Sequence, residues 1–151
     1  MSNGTTVKKR NGRGTEPLDL EKIHKMVEEA CKGVAGVSAS QVEIQSGIQF
    51  YDGITTAEIQ EILIKSASDL IDLDNPNYQY VAARLLLFSL RKSLYGKIRE
   101  LPHLESQIMG CTSYDVYDKE IFTKYSKEEI DKANTFIDHE RDFLFTYAGL
   151  R

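Results

Sequence analysis

The sequence predicts a mainly α-helical protein that opens with a small β-hairpin. Apolar residues recur at helical spacing through most of the chain, which favours amphipathic helices. Near the N-terminus, the turn signal Asn11-Gly12-Arg13-Gly14 separates two short runs, 5–10 and 15–18, that can form strands. Because two strands alone are only marginally stable, the hairpin is expected to cap a bundle of helices.

Four helices are expected after the hairpin, because each of four segments begins with a capping residue or a chain break. The second is expected to continue to about residue 51. The fourth is rich in Ala and Leu, is expected over 78–95 and ends before Gly96. In chain order, the starting signals are Asp19, Ser38 with Gln41, Thr55 with Glu58, and the break Asn75-Pro76-Asn77.

A domain boundary is predicted after residue 95, which divides the chain into a domain over 1–95 and a helical segment over 96–151. Beyond the boundary we expect irregular segments and then one long helix, which begins at Ser126 in a capping box with Glu129 and reaches the last residue. Its apolar end is too large to be buried by the ~50 residues around it, so another part of a longer chain or a partner is expected to cover it.

Composition excludes several classes of function. The formal net charge is −4, which disfavours a general nucleic-acid-binding role. The basic residues near the N-terminus form a local cluster whose size suits one polyphosphate rather than a duplex. That cluster comprises Lys8, Lys9, Arg10 and Arg13.

Neither catalysis nor a metal site is indicated. Cys31 and Cys111 belong to no CxxC pair and are expected to be reduced structural thiols. The histidines are scattered, and a P-loop is absent from the sequence. The N-terminus lacks a signal-peptide pattern, and no apolar run reaches the ~20 residues that span a bilayer. We therefore expect a cytoplasmic protein without a membrane partner and without activity of its own.

The hairpin and the first helix contain the groups that a nucleoside triphosphate requires. Lys9, Arg10 and Lys22 supply positive charge near a helix N-terminus, where phosphates bind well. Because side chains alternate along a strand, only one of Lys9 and Arg10 is expected to point at the site. Glu16 is an acceptor for a ribose hydroxyl or an adenine amine.

Two helical stripes are further candidates for the site. Arg84, Phe88 and Lys92 recur at i, i+4 and i+8 on the fourth helix, and Thr56 and Gln60 form a similar stripe on the third. Each signal is weak when taken alone, since surface cations are usually solvated and a lone phenylalanine is usually part of the core.

The order of these residues is more specific than any one of them. Segments 7–12 with Glu16, 18–23, 49–56 and 77–85 resemble, in order and spacing, the motifs of the ATP-cone, a β-hairpin that caps a four-helix bundle at the front of many ribonucleotide reductase large subunits. Segments 90–96 and 136–148 are similar to the region that leads into the catalytic barrel of class I, diphosphate-reducing large subunits. The motifs are VKKRNG, LDLEKI, QFYDGITT, NYQYVAARL, LRKSLYG and FIDHERDFLFTYA.

The resemblance implies a role for each candidate residue around ATP or dATP, with Mg2+ bound beside the phosphates. The phosphate ligands would be Lys9, Arg10, Lys22 and Lys92. The base would lie among Val7, Ile23 and Phe88, and the polar contacts to base or sugar would come from Glu16 and Thr56. Gln60 belongs to the same pocket.

The resemblance also implies partners: the remainder of the reductase large subunit in the same or a separate chain, the small subunit, and further copies of the parent protein. In the family, ATP permits turnover, and dATP inhibits by changing subunit assembly. A free-standing adenine-nucleotide-binding adaptor that acts in trans stays open as an alternative. A small kinase or nucleotidase is disfavoured because no acidic metal cluster or nucleophile–base pair is present.

Two departures from the family pattern predict weak or absent inhibition by dATP. Gln60 and Glu29 stand where a strongly inhibited family member has histidine and tryptophan, respectively. A full-length reductase that carries this cone should keep most of its activity at saturating dATP in a steady-state assay. Loss of most activity under that condition would contradict the prediction.

Overall fold

The computed structural model describes residues 5–9, 12, 14–47 and 49–151. Among these, the prediction of a mainly helical protein with an N-terminal hairpin is confirmed. The first strand, β1, covers Thr6–Lys8, and the second, β2, covers Thr15–Pro17 in antiparallel register with it. Of the predicted turn, Gly12 and Gly14 adopt positive φ, while Asn11 and Arg13 lie outside the described residues.

A third strand was not predicted. The segment Ile54–Thr55, β3, pairs in parallel with β1, so that the described strands form one sheet in the order β2-β1-β3. Val7, at 3% exposure, lies opposite Ile54, which is fully buried. Two residues are too short a segment to show the alternation by which a strand is identified from sequence.

The four expected helices are present, and each begins directly after its predicted starting signal. They are α1 (Leu20–Cys31), α2 (Ala39–Gly47), α3 (Thr56–Asp69) and α4 (Tyr78–Tyr95). Asp19 caps α1, and Thr55 with Glu58 forms a complete capping box at α3. The inner faces bury a common apolar core that includes Val27, Val42, Leu63, Val81 and Leu85.

Helix α2 ends earlier than expected, and its predicted capping box is only half formed. The Gln41 amide donates to the Ser38 hydroxyl at 3.4 Å, but the Gln41 side chain accepts a hydrogen bond from the Tyr78 hydroxyl instead of returning to Ser38. Ile44, which was expected on an apolar face, is 70% exposed. Ile48 lies outside the described residues.

The prediction of one long C-terminal helix from Ser126 onward is wrong. The Ser126–Glu129 capping box is present, but its helix, α7, covers only Lys127–Asn134. A 3-10 helix over His139–Leu144 and a last turn, α8, over Tyr147–Leu150 follow. Asp138 and Thr146 each accept a hydrogen bond from a backbone amide at the start of these segments, and such local bonds compete with a continuous helix.

Two further helices occupy the region that was expected to be irregular: α5 (Leu104–Ser113) and α6 (Ile121–Lys124). The chain divides into two compact units, one of residues 1–90 with 143–151 and one of residues 91–142. In the second unit, the buried Arg91 guanidinium lies 2.7 Å from the Asp142 carboxylate, and Ile108 and Ile130 are buried. No helix among the described residues is long and apolar enough to cross a membrane.

Tyr78 joins α4 to the start of α2 and should contribute measurably to stability. Its hydroxyl accepts from the Ser38 amide at 3.0 Å, donates to Gln41, and belongs to a side chain that is 1% exposed. Tyr78→Phe removes both hydrogen bonds and should lower the free energy of unfolding by about 1–3 kcal/mol in urea denaturation. Tyr114→Phe, at a side chain 84% exposed, is the control and should cost little. Equal effects of the two changes would contradict this account.

Candidate nucleotide-binding site

Asp52, just before β3, is bonded to the first residue of β1. One oxygen of its carboxylate accepts from both the amide and the hydroxyl of Thr6, each at 2.7 Å. The next residue, Gly53, has φ of +79° and donates its amide to the Thr6 carbonyl at 2.9 Å. The two hydrogen bonds from Thr6 are the largest causes that lower the pKa of Asp52, and a hydrogen bond from the Gly53 backbone lowers it further. The carboxylate is therefore charged at neutral pH.

Lys8 and Lys9 lie in different surroundings, as alternation along an extended chain requires. The Lys9 ammonium is 3.0 Å from the Glu16 carboxylate across the hairpin. The Lys8 side chain passes close to Gly53, where a Cβ atom would lie 3.7 Å from it. The positive charge of Lys8 also helps to lower the pKa values of Asp52 and Glu58. Lys8 therefore lies beside Asp52 and Gly53, whereas Lys9 pairs with Glu16 on β2.

Lys9, Glu16, Asp19 and Lys22 form one cluster of charges. The hydrogen bond from Lys9 is the largest cause that lowers the pKa of Glu16; the positive charge of Lys22 lowers it further, and the charge of Asp19 acts in the opposite direction. Lys22 itself lies 3.5 Å from the Asp19 carboxylate. The structure thus contains two ion pairs here, Lys9 with Glu16 across the hairpin and Lys22 with Asp19 at the start of α1.

An open depression adjoins this cluster, between the end of β2 and the first turn of α1. Its lining residues are Glu16, Pro17, Leu18, Asp19, Leu20 and Lys22. Asp19 has a lowered pKa, mainly because the Lys22 amide donates to its carboxylate. The amides of Glu21 and Lys22, a lysine ammonium and two carboxylates therefore meet at one helix N-terminus.

The other predicted ligands lie elsewhere or are buried, and Arg10 lies outside the described residues. Thr56 is the first residue of α3 and is half-buried. The Gln60 side chain is 4% exposed, and its amide donates to the Met26 sulfur at 3.8 Å. Lys92, on the last turn of α4, belongs to the second unit.

Three apolar candidates contribute to the interior of the first unit. Val7, Ile23 and Phe88 are 3%, 8% and 2% exposed, respectively. The Phe88 ring contacts that of Phe143 edge to face, with centroids 6.2 Å apart. Among the described residues, neither these side chains nor Thr56 and Gln60 line the depression.

Arg84 has a structural task that sequence reasoning missed. Its guanidinium donates to the carbonyls of Ala30 and Lys32, at 3.2 and 2.7 Å, and so satisfies the C-terminal end of α1. It also lies over the Phe143 ring, 5.4 Å from the centroid. These contacts favour the structural interpretation of the Arg84–Phe88 stripe. Arg84 is half-buried and lies inside α4, and its acceptors are more than fifty residues away, so no local signal in the sequence marked this role.

Cys31 and His103 each have surroundings that explain their structural roles. Burial raises the pKa of Cys31 to about 11, so its thiol is neutral at physiological pH. His103, Glu105 and Asp131 offer ligand atoms within 4.8 Å of one another in the second unit. His103, however, accepts from the Glu105 amide as the cap of α5, and Lys127 lies 3.9 Å from Glu105.

Comparison with known proteins agrees with the resemblance. The model of the ATP cone domain family matches residues 5–93. Over all 151 residues, the chain is 46% identical to subunit alpha of ribonucleoside-diphosphate reductase 1 from Escherichia coli K12, of which it covers 20%. It is 45% identical to the corresponding subunit of Buchnera aphidicola from Schizaphis graminum, again over the whole chain and 20% of that protein. The subunit of phage T4 is 41% identical over 137 residues, 89% of this chain and 18% of that protein.

The Asp52 anchor should make stability depend on pH in the acid range. The pKa of Asp52 in the folded chain is lowered from its ordinary value of 3.8. Its contribution to the free energy of unfolding is therefore fully present above pH 3.8 and is lost as the pH falls through the folded-state pKa. The free energy of unfolding, measured by urea denaturation, should therefore fall less between about pH 7 and pH 2 for Asp52→Asn than for the unchanged chain. Glu61→Gln makes the same charge change on the exposed surface of α3 and serves as the control. An equal loss of stability at acid pH in Asp52→Asn and in the unchanged chain would exclude a stabilising role for the Asp52 charge.

Proposed function

The chain belongs to the ATP cone domain family, and from this premise we propose that it binds ATP and dATP as allosteric effectors, with Mg2+ beside the phosphates. Its parent would be the large subunit of a ribonucleoside-diphosphate reductase, since the chain spans about a fifth of the relatives it matches. The observation that carries the proposal is the charge cluster of Lys9, Glu16 and Lys22 at the N-terminus of α1.

The chemistry of this cluster fits a nucleotide polyphosphate. Two ammonium groups supply charge-assisted donors for phosphate oxygens, and the N-terminus of α1 adds a favourable dipole. Glu16 can accept from a ribose hydroxyl or an adenine amine once Lys9 turns toward a phosphate. Arg10 and Lys92 complete the cationic set in this proposal.

We propose that effector binding controls overall activity by changing how the large and small subunits assemble. The similarity to reductase subunits extends over residues 94–151, beyond the matched cone, which supports a fragment that continues into the rest of the large subunit. Several large side chains of the second unit are exposed, among them Tyr114, Val116 and Phe136. They offer apolar surface to the remainder of the parent protein.

Calorimetric titration of this chain with ATP, dATP and GTP tests the proposal. Binding of the adenine nucleotides in preference to GTP is expected. Lys9→Ala or Lys92→Ala should weaken ATP binding by about 1.5–3 kcal/mol, because each removes a hydrogen bond to a charged group. Lys97→Ala removes an equal charge from an exposed pair with Glu100 and should leave affinity unchanged. Unchanged affinity in both Lys9→Ala and Lys92→Ala would place the pocket elsewhere, and failure of ATP to bind would exclude the function.

A further inference from the structure

His24 lies between two carboxylates where α1 contacts α2. Its Nδ1 atom is 2.7 Å from the Glu43 carboxylate on α2, and its Nε2 atom is 3.2 Å from the Glu28 carboxylate one turn later on α1. An ionised carboxylate can only accept hydrogen bonds, so both ring nitrogens must donate if both contacts are to be favourable. Only the protonated imidazole has a hydrogen on each nitrogen. The geometry therefore suits the positively charged form of His24.

The contact with Glu43 is the better shielded of the two. Helices α1 and α2 pack together, and the neighbours of this pair along the chain, Ile23 and Val42, are 8% and 0% exposed. The side chain of Glu43 is 27% exposed, whereas that of Glu28 is 58% exposed. Because water screens a half-buried pair less than an exposed one, the contact between the two helices should be the stronger.

Both carboxylates stabilise the charge on His24. The hydrogen bond to Glu43 is the largest cause that raises the pKa of His24 above the ordinary value of 6.5, and partial burial acts in the opposite direction. The negative charges of Glu43 and Glu28 raise the pKa further. The electrostatic surroundings thus agree with the positions of the donors and acceptors.

Other titratable and charged groups on α1 and α4 have partners of their own or stay neutral. Lys25 pairs with Glu21 at 2.7 Å, and Arg84 of α4 bonds to two carbonyls at the end of α1. The pKa of Cys31 responds to both carboxylates, but at about 11 it leaves the thiol neutral where a histidine titrates. Among the described residues, Glu43 and Glu28 are therefore the main charged groups that act on His24.

We propose that His24 is a pH-sensitive tether between α1 and α2. The protonated ring donates to Glu43 and Glu28 at the same time, so a charge-assisted hydrogen bond joins the two helices. After loss of the proton, one ring nitrogen is an acceptor that faces a carboxylate, and the bond that remains has a neutral donor and is weaker. The tether does not rest on nucleotide binding, since these three residues do not line the depression at the start of α1.

The direction of the pH effect follows from the raised pKa of His24. The contribution of the tether to the free energy of unfolding is fully present below pH 6.5, the ordinary value for the side chain. It is lost as the pH rises through the higher, folded-state pKa. Helices α1 and α2 should therefore be held together more firmly in slightly acidic than in alkaline solution.

An NMR titration of the ring protons of His24 in the full chain tests the protonation step. Loss of the signal in His24→Gln assigns it. The midpoint should lie above 6.5 and should fall in Glu43→Gln, which removes the charge from the closer acceptor. Glu61→Gln makes the same charge change on the exposed surface of α3 and should leave the midpoint nearly unchanged. Equal shifts in the two glutamine variants, or no shift in either, would overturn the proposal.

A double-mutant cycle of His24→Gln and Glu43→Gln tests whether the contact joins the helices. Urea denaturation of the four chains should give a stabilising coupling between the two sites at about pH 5.5. At about pH 9 the coupling should fall to about half or less, because charge-assisted hydrogen bonds are about twice as strong as neutral ones. Equal coupling at both pH values would leave an ordinary neutral contact and refute the pH sensitivity. No coupling at the acid pH would refute the tether itself.

Discussion

The Asp52 carboxylate joins the start of the hairpin to the turn before β3, and the candidate site depends on where that hairpin lies. It accepts both donors of Thr6, and the adjoining Gly53 returns a bond to the Thr6 carbonyl. The chain then forms β3 beside β1 and enters α3 through the Thr55 cap without an intervening loop. Since Lys9 and Glu16 belong to the same hairpin, their position relative to α1 depends on this anchor.

Helix starts were predictable because their signals are local. Asp19, Thr55 and Ser126 cap helices through bonds to residues two or three positions later, so the short sequence pattern contains the whole interaction. Features that depend on distant partners were not predictable. Strand β3 exists because Ile54 pairs with Val7, and Gln41 leaves its capping box because Tyr78 is present.

In the candidate site, too, local features were predictable and features that depend on distant partners were not. The side-by-side arrangement of Lys9 and Glu16 follows from a two-strand hairpin, and Lys22 follows from the first turn of a helix. The role of Arg84 could not be read from an i, i+4 stripe, because its acceptors are carbonyls more than fifty residues earlier in the chain. Asp19 was identified as a cap, but its pairing with Lys22 emerged only from the geometry of the folded side chains.

The first unit is discontinuous in sequence, since residues 143–151 belong with residues 1–90. Phe143 supplies a ring against Phe88 and a surface beneath Arg84, which itself closes the end of α1. During synthesis on the ribosome, this aromatic contact must wait until the whole intervening unit has emerged. A polypeptide cut at the limit of the family match, residue 93, would lack that ring and would leave Phe88 with an incomplete apolar environment.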